Sequence, residues 1–175
     1  NLIIYNNMLW LALSYPRLAL EVFNSEYASS GQPVVVLEKN KIVLCNTTAK
    51  NLNILPNSSL ATAQAIQEEL VYFERDRLLE QKILTSLAAE LCALSSQVSM
   101  PFEGTILLEI GASIRLFGSV DVIEQKAIEL SLAAGLEAVS GISPTAQAAL
   151  AFSYSNKNKL SDIHLTHSGI ERAGI

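Results

Sequence analysis

Asp162, His164 and His167 stand close together and form the densest run of potential metal ligands in the chain. A protein metal site needs three or four such donors converging on one point. These three lie in a polar stretch with no further ligand nearby, so they read as a solvated chain end. Ser14, Ser140 and Ser143 are candidate nucleophiles. An activated serine needs a histidine base held within hydrogen-bond reach, and both histidines lie in that polar stretch, off any rigid element. No glycine-rich phosphate loop of the P-loop or dinucleotide type is present. Glu68-Glu69 and the run from Glu74 to Arg77 read as solvated helix ends. Cys45 and Cys92 sit among apolar residues and read as buried free thiols of a reducing cytosol. Trp10, in an apolar run, reads as core rather than as a base-stacking platform.

Half of the 175 residues are hydrophobic, enough for a sizeable core. The net charge is -5. Proteins that bind nucleic acid unaided gain most of their affinity from basic groups on phosphates, so tight autonomous DNA binding is not expected. Lys39, Lys41, Lys50 and Arg115 are the candidates for a weak contact, although Arg115 is read first as a structural arginine after a strand. No window reaches the ~18 apolar residues of a membrane span. The apolar opening lacks a basic leader region, so it does not read as a signal peptide. Met8 is a candidate native start. The end at Gly174-Ile175, without a closing element, is read as a cut from a longer protein.

The elements that must position these residues follow from periodicity. Residues 8–13 are an apolar run suited to a buried central strand, stopped by Pro16. Residues 17–28 carry Leu18, Val22 and Phe23 on a helical face, and Gly31-Gln32-Pro33 is a loop. Residues 34–38 and 41–45 are β-rich around Lys39-Asn40, which reads as a hairpin. Residues 47–52 are a short helix. Ser58 or Ser59 caps another over 60–70. Together these small elements form a lobe apart from the main core. Residues 74–94 are the strongest helix, with Leu79, Ile83, Leu87, Leu91 and Leu94 on one face. Strands near 98–100 and 105–110 join around Glu103-Gly104. Ser119 caps a helix that Gly135 ends, and residues 137–142 form a strand. Ser143-Pro144 opens a last helix, with serine as cap and proline at its first position. Without the lobe the order is β-α-β-β-α-β, an α/β fold of ferredoxin-like (α+β) type.

Several stretches, in this order, resemble the Y-family translesion DNA polymerases. Pro33-Val34-Val35-Val36 and Asn46-Thr47-Thr48-Ala49-Lys50 resemble the family's fingers. Glu109 to Ser119, with Arg115-Leu116-Phe117-Gly118, resembles the segment after its catalytic carboxylates. Val139 to Thr145 resembles its nucleotide-side strand-to-helix turn. The run from Leu9 to Glu21 is closer still to a non-catalytic branch of the family that belongs to the bacterial SOS mutasome. The resemblance covers residues 8–155. It implies a palm of residues 8–15 and 71–155, a fingers lobe of 16–70, and a linker with the start of a truncated thumb at 156–175.

Active members of this family bring carboxylates from the first strand and from the later hairpin onto two metal ions. The first strand here offers Ala12, Leu13 and Ser14, and the hairpin pair falls on Gly104 and Thr105. Glu103 is one residue out of register, which turns a strand side chain to the opposite face, and Glu109 is read as structural. Thr47 and Lys50 stand where the family presents a Tyr and an Arg to the nucleotide, and a lysine lacks the bidentate fork of an arginine. Ala146 and Leu150 stand at its phosphate lysines. The resemblance therefore implies a chain that is not an enzyme and needs no cofactor or metal. It implies an accessory scaffold in SOS translesion synthesis, joined to a mutagenic polymerase and the sliding clamp through C-terminal regions. Two other readings stand beside it: an active translesion polymerase with relocated ligands, and an unrelated ferredoxin-like binding domain without the small lobe.

Overall fold

The computed structural model describes residues 8–23, 27 and 31–156. The chain divides into two compact units, one built from residues up to 16 and from 84 onward, the other from residues 17–83.

The first unit is built on a four-stranded sheet. Its strands are β1 (Trp10–Ser14), β5 (Val98–Ser99), β6 (Thr105–Glu109) and β7 (Val139–Ser143), in the order β5-β6-β1-β7. All three pairings are antiparallel. With one helix between β1 and β5 and another between β6 and β7, this is the ferredoxin-like connectivity expected. Strand β1 is central and β6 is buried along its whole length, which explains why both read as continuous apolar runs rather than alternating ones. On one face lie Leu11, Leu13, Ile106 and Leu108, all fully buried. The other face carries Ala12 and Leu107, which pack with Ala149, Trp10, Ala146 and Leu150.

Helix α6 (Val120–Ala133) begins where Ser119 accepts from the Val122 amide. It ends at Gly135, whose φ of 78° is the left-handed stop that glycine adopts without strain. The last described helix runs over 146–156, and we call it α7. Its cap differs from expectation. Ser143 is the buried last residue of β7, and Thr145 Oγ1 accepts from the Ala148 amide. Pairing with β1 holds Ser143 in the sheet, so the next hydroxyl along the chain takes the capping role. Asn156, expected to open the linker, is still helical. Asp162, His164 and His167 lie outside the described residues, as does the rest of the segment 157–175.

The second unit carries β2 (Val34–Glu38), β3 (Lys41–Cys45) and β4 (Val71–Glu74), in the order β3-β2-β4. Lys39 and Asn40 close the β2–β3 hairpin with φ of 51° and 61°. Two consecutive left-handed residues are what a tight two-residue hairpin of the I′ class needs. Helices α1 (Leu18–Glu21), α2 (Thr47–Asn51) and α3 (Leu60–Ile66) complete the unit with the start of α4 (Arg77–Leu91). Its sheet is packed on both faces: Val35, Leu37 and Ile42 gather with Ala49, Ile54 and Ala63, and Val34 and Val36 gather with Ala19 and Leu20. The presence of this lobe removes the reading of an unrelated ferredoxin-like domain.

Five expectations change here. Residues 71–74 were read with the palm and the long helix, but β4 pairs in parallel with β2, and Asp76 starts the helix by accepting from the Leu79 amide. The run from Glu74 to Arg77 is more than a solvated helix end, because Arg75 and Arg77 are ion-paired. Cys92 is exposed while Cys45 is buried: Cys92 follows the last turn of α4, one position past the buried Leu91. In the range 17–28, expected as one helix, α1 covers Leu18–Glu21 and Tyr27 is again helical, with 24–26 and 28 outside the described residues. The helix expected over 60–70 ends at Ile66.

Candidate functional site

Ser14 and Thr105 are direct partners across the β1–β6 ladder, and Ala12 lies opposite Leu107 on the same pair of strands. Antiparallel partners point to the same face, so Ala12, Ser14, Thr105 and Leu107 all look one way. That face is covered by α7. Ala12 is fully buried in a cluster with Ala149, and Ala146 and Leu150 pack against it. Ala12, Ser14, Thr105, Ala146 and Leu150, five positions from three distant parts of the sequence that resemblance assigns to one site, thus meet at one place. The side chains there are apolar or carry a hydroxyl.

The hydroxyls are paired. Ser14 Oγ lies 2.7 Å from Ser153 Oγ. Ser153 spends its single proton on the Leu150 carbonyl at 2.8 Å, so Ser14 is the donor of the pair. Thr105 Oγ1 lies 3.1 Å from the Tyr154 hydroxyl. Gly104 sits between Glu103 and Thr105 with φ of 65°, and its carbonyl accepts from the Tyr15 amide. Glu103 is exposed. Among the described residues, no three His, Cys, Asp or Glu side chains converge as a metal site would require.

Tyr15 points to the other face. Its hydroxyl lies 3.0 Å from Ser131 Oγ, and Ser131 in turn donates to the Ala127 carbonyl. Tyr15 is the donor, therefore, and a phenolate there would face an oxygen. Burial pushes its pKa up to about 12, and Ser131 would act the other way only by turning its proton from the Ala127 carbonyl to the phenolate. Glu109 is buried, and its Oε1 accepts from the Leu9 and Gly111 amides. It pins the chain around the ends of β1 and β6, which is the structural role expected.

In the lobe, the run from Asn46 to Lys50 forms the cap and body of α2. Asn46 is a buried node: Oδ1 accepts from the Val34 and Ala49 amides, and Nδ2 donates to the Tyr27 and Gln32 carbonyls. All four of its hydrogen-bonding places are filled. Thr47 is half-buried and Lys50 is exposed. Lys39 and Lys41 flank the hairpin tip, both exposed, and Arg115 is exposed on the short helix α5 (Ile114–Phe117). Nearby, Arg75 clasps Glu80 through two bonds of 2.6 and 2.7 Å, while Arg77 Nε reaches Glu38 at 2.8 Å. Arg77 holds the Glu38 carboxyl below its usual pKa range.

Sequence reasoning missed Tyr15, Ser153, Tyr154 and Gly141. No signal marks a hydroxyl pair joining positions so far apart in the chain. Gly141 had one: it lies inside a strand, where a glycine often marks a close backbone approach. Here a Cβ would stand 2.3 Å from the Ala149 carbonyl oxygen and 2.4 Å from the Ser153 nitrogen.

A family model described as IMS: impB/mucB/samB family matches residues 18–153. No curated protein matches the chain. Among solved structures, the chain is similar to a Dbh ternary complex with partially disordered substrates, at 15% identity and TM-score 0.69, over 85% of this chain and 45% of that one. It is similar to DinB from Sulfolobus solfataricus at 14% identity and TM-score 0.63, over 85% and 46% of the two chains. An insertion ternary complex of Dbh DNA polymerase gives 14% identity and TM-score 0.67, over 85% and 46%. At these identities the likeness is one of fold, and the chain spans less than half the length of these structures.

These matches correct one expectation. The substituted carboxylates suggested that the chain is not an enzyme, yet the family model and the solved neighbours, a DNA polymerase among them, place it in polymerase company. Four neutral positions on one sheet face do not take it out. Nor does any helix among the described residues reach the length and apolarity needed to cross a membrane. With more than half its length matched by the model, the chain belongs to the impB/mucB/samB family.

Proposed function

We propose that the chain supplies the palm and fingers of a translesion-synthesis protein of the ImuB branch, a cytoplasmic accessory scaffold of the SOS mutasome that works on primer-template DNA. The observation that carries this reading is the meeting of Ala12, Ala146 and Leu150 beside the Ser14–Thr105 pair. The resemblance assigned these distant positions to one site, and they share one face of one sheet. The run from Leu9 to Glu21 favours the ImuB branch over the rest of the family. In this reading the first unit is the palm, the lobe with β4 is the fingers, and residues 156–175 lead toward a thumb. Contacts to a mutagenic polymerase and the sliding clamp belong to regions C-terminal to the palm.

Lys39, Lys41, Lys50 and Arg115 are the proposed DNA contacts, with Thr47 and Lys50 on the nucleotide side. Fluorescence anisotropy with a labelled primer-template duplex at low salt tests this. Weak binding is expected, steepening its loss with salt. Reversing Lys39, Lys41 and Lys50 to Glu should weaken it at least several-fold. Binding that ignores those changes overturns the assignment. Primer extension by the full-length protein with Mg²⁺ or Mn²⁺ tests the role itself. Template-dependent incorporation abolished by Glu103→Ala would replace the accessory role with that of a polymerase acting through Glu103.

A further inference from the structure

Ser14 and Thr105 are neighbours across two strands, and Ser153 and Tyr154 are neighbours along one helix. The two hydroxyl pairs they form therefore lie side by side, at 2.7 and 3.1 Å. We propose that they act as a two-point clasp, holding α7 down on the β1–β6 end of the sheet and setting how readily that face opens. Three features of the site make this the position of control. The strand hydroxyls are almost wholly buried, and so is Ser153, while Tyr154 is 40% exposed and stands at the rim. Between the clasp and the helix start, α7 makes apolar contacts with the sheet: Ala149 is buried, and Ala146 and Leu150 are partly buried against Ala12, Leu107 and Trp10. Gly141 lets the helix backbone ride directly on β7, so close that a Cβ there would meet the Ala149 and Ser153 backbone.

The physical reason is an asymmetry of cost. Apolar contacts weaken gradually as a helix rises, whereas a buried hydroxyl that loses its partner is left unsatisfied at once. Ser14 has no solvent to turn to while α7 is seated, and Thr105 keeps only a long 3.5 Å contact to the Glu103 carbonyl, so lifting the C-terminal half of the helix breaks both pairs before water can replace them. Asn156 extends the same attachment by one bond, its Nδ2 donating to the Ser140 carbonyl at 3.1 Å.

Amide hydrogen exchange on the full chain tests the clasp. Tyr154→Phe removes one hydroxyl at the rim and keeps the ring, so the fold should survive. Exchange over 146–156 is expected to accelerate roughly three- to tenfold, the range of one net hydrogen bond, while α6 and the lobe stay unchanged. Ser14→Ala should produce the same local pattern from the strand side. Unchanged exchange over 146–156 in both variants overturns the proposal. So does acceleration spread evenly over the first unit, because the pairs would then be ordinary contributors to global stability.

Discussion

The two sheets of this protein satisfy their interior polar groups in opposite ways. At the Ser14 end of the first sheet the buried groups are single hydroxyls, each matched to one hydroxyl on α7. In the lobe the buried group is an amide that fills all four of its places with backbone partners. Full charges there are paired, the buried Glu80 with Arg75 and the more exposed Glu38 with Arg77. A burial that excludes water penalises an ionised group heavily unless it is paired. The first unit avoids the penalty by being neutral where α7 seals it. The lobe avoids it by pairing the buried Glu80 carboxylate with Arg75 through two hydrogen bonds. The difference teaches that the first unit depends on close backbone approach, and the lobe on one well-connected side chain.

The sharpest way to break this contrast is Gly141→Ala. The added methyl meets backbone atoms at 2.3 and 2.4 Å, and neither can rotate away. Either β7 or α7 must move, and the hydroxyl pairs and the Ala12 cluster move with it. A loss of at least about 3 kcal/mol is expected by urea denaturation, at the upper end for overpacking. A loss under about 1 kcal/mol would show that α7 is not tightly seated.

The corresponding test in the lobe is Asn46→Ala. It removes the hydrogen bonds that Asn46 makes with the Val34 and Ala49 amides and the Tyr27 and Gln32 carbonyls together. It also removes the cap of α2, a change that alone costs about 1 kcal/mol. About 2–3 kcal/mol in all is expected. Asn46→Asp separates the parts, since it keeps both accepted bonds and loses both donated ones. A variant as destabilised as alanine would show that the donated pair dominates.

The contrast also explains what could be read from the sequence. Apolar runs over residues 8–13 and 105–110, the hairpin at Lys39-Asn40 and the stop at Gly135 follow from local propensity, and each is in place. Strand β4 could not be read, because residues 71–73 are too short an apolar stretch to stand out between two helices and Glu74 reads as the start of the second. Only its pairing with β2 makes it a strand. The cap at Thr145 was hidden for the same reason: Ser143 and Thr145 are equally good caps, and β1 decides between them. Of the site, the convergence of Ala12, Ala146 and Leu150 was legible through resemblance. The hydroxyl partners on α7 were not, because Ser153 and Tyr154 look like the polar end of any helix.

Tyr15 sharpens the comparison on the face that α7 does not cover. Its hydroxyl is buried, and unlike the serine and threonine hydroxyls of the clasp it titrates. Its pKa is about 12 in the folded protein and about 10 in the unfolded chain. Below pH 10 both states hold the proton, so the protonated hydroxyl contributes its full stabilisation. Between pH 10 and 12 the unfolded chain ionises first and gains on the folded one. Roughly 2 kcal/mol of stability should be lost across that window. Tyr15→Phe should lose less over the same range, after a smaller cost at neutral pH from leaving Ser131 without its donor. Urea midpoints of both proteins at pH 9, 10, 11 and 12 measure this. Parallel curves would mean that Tyr15 ionises without opposition, and that this face is as open to water as the other is closed.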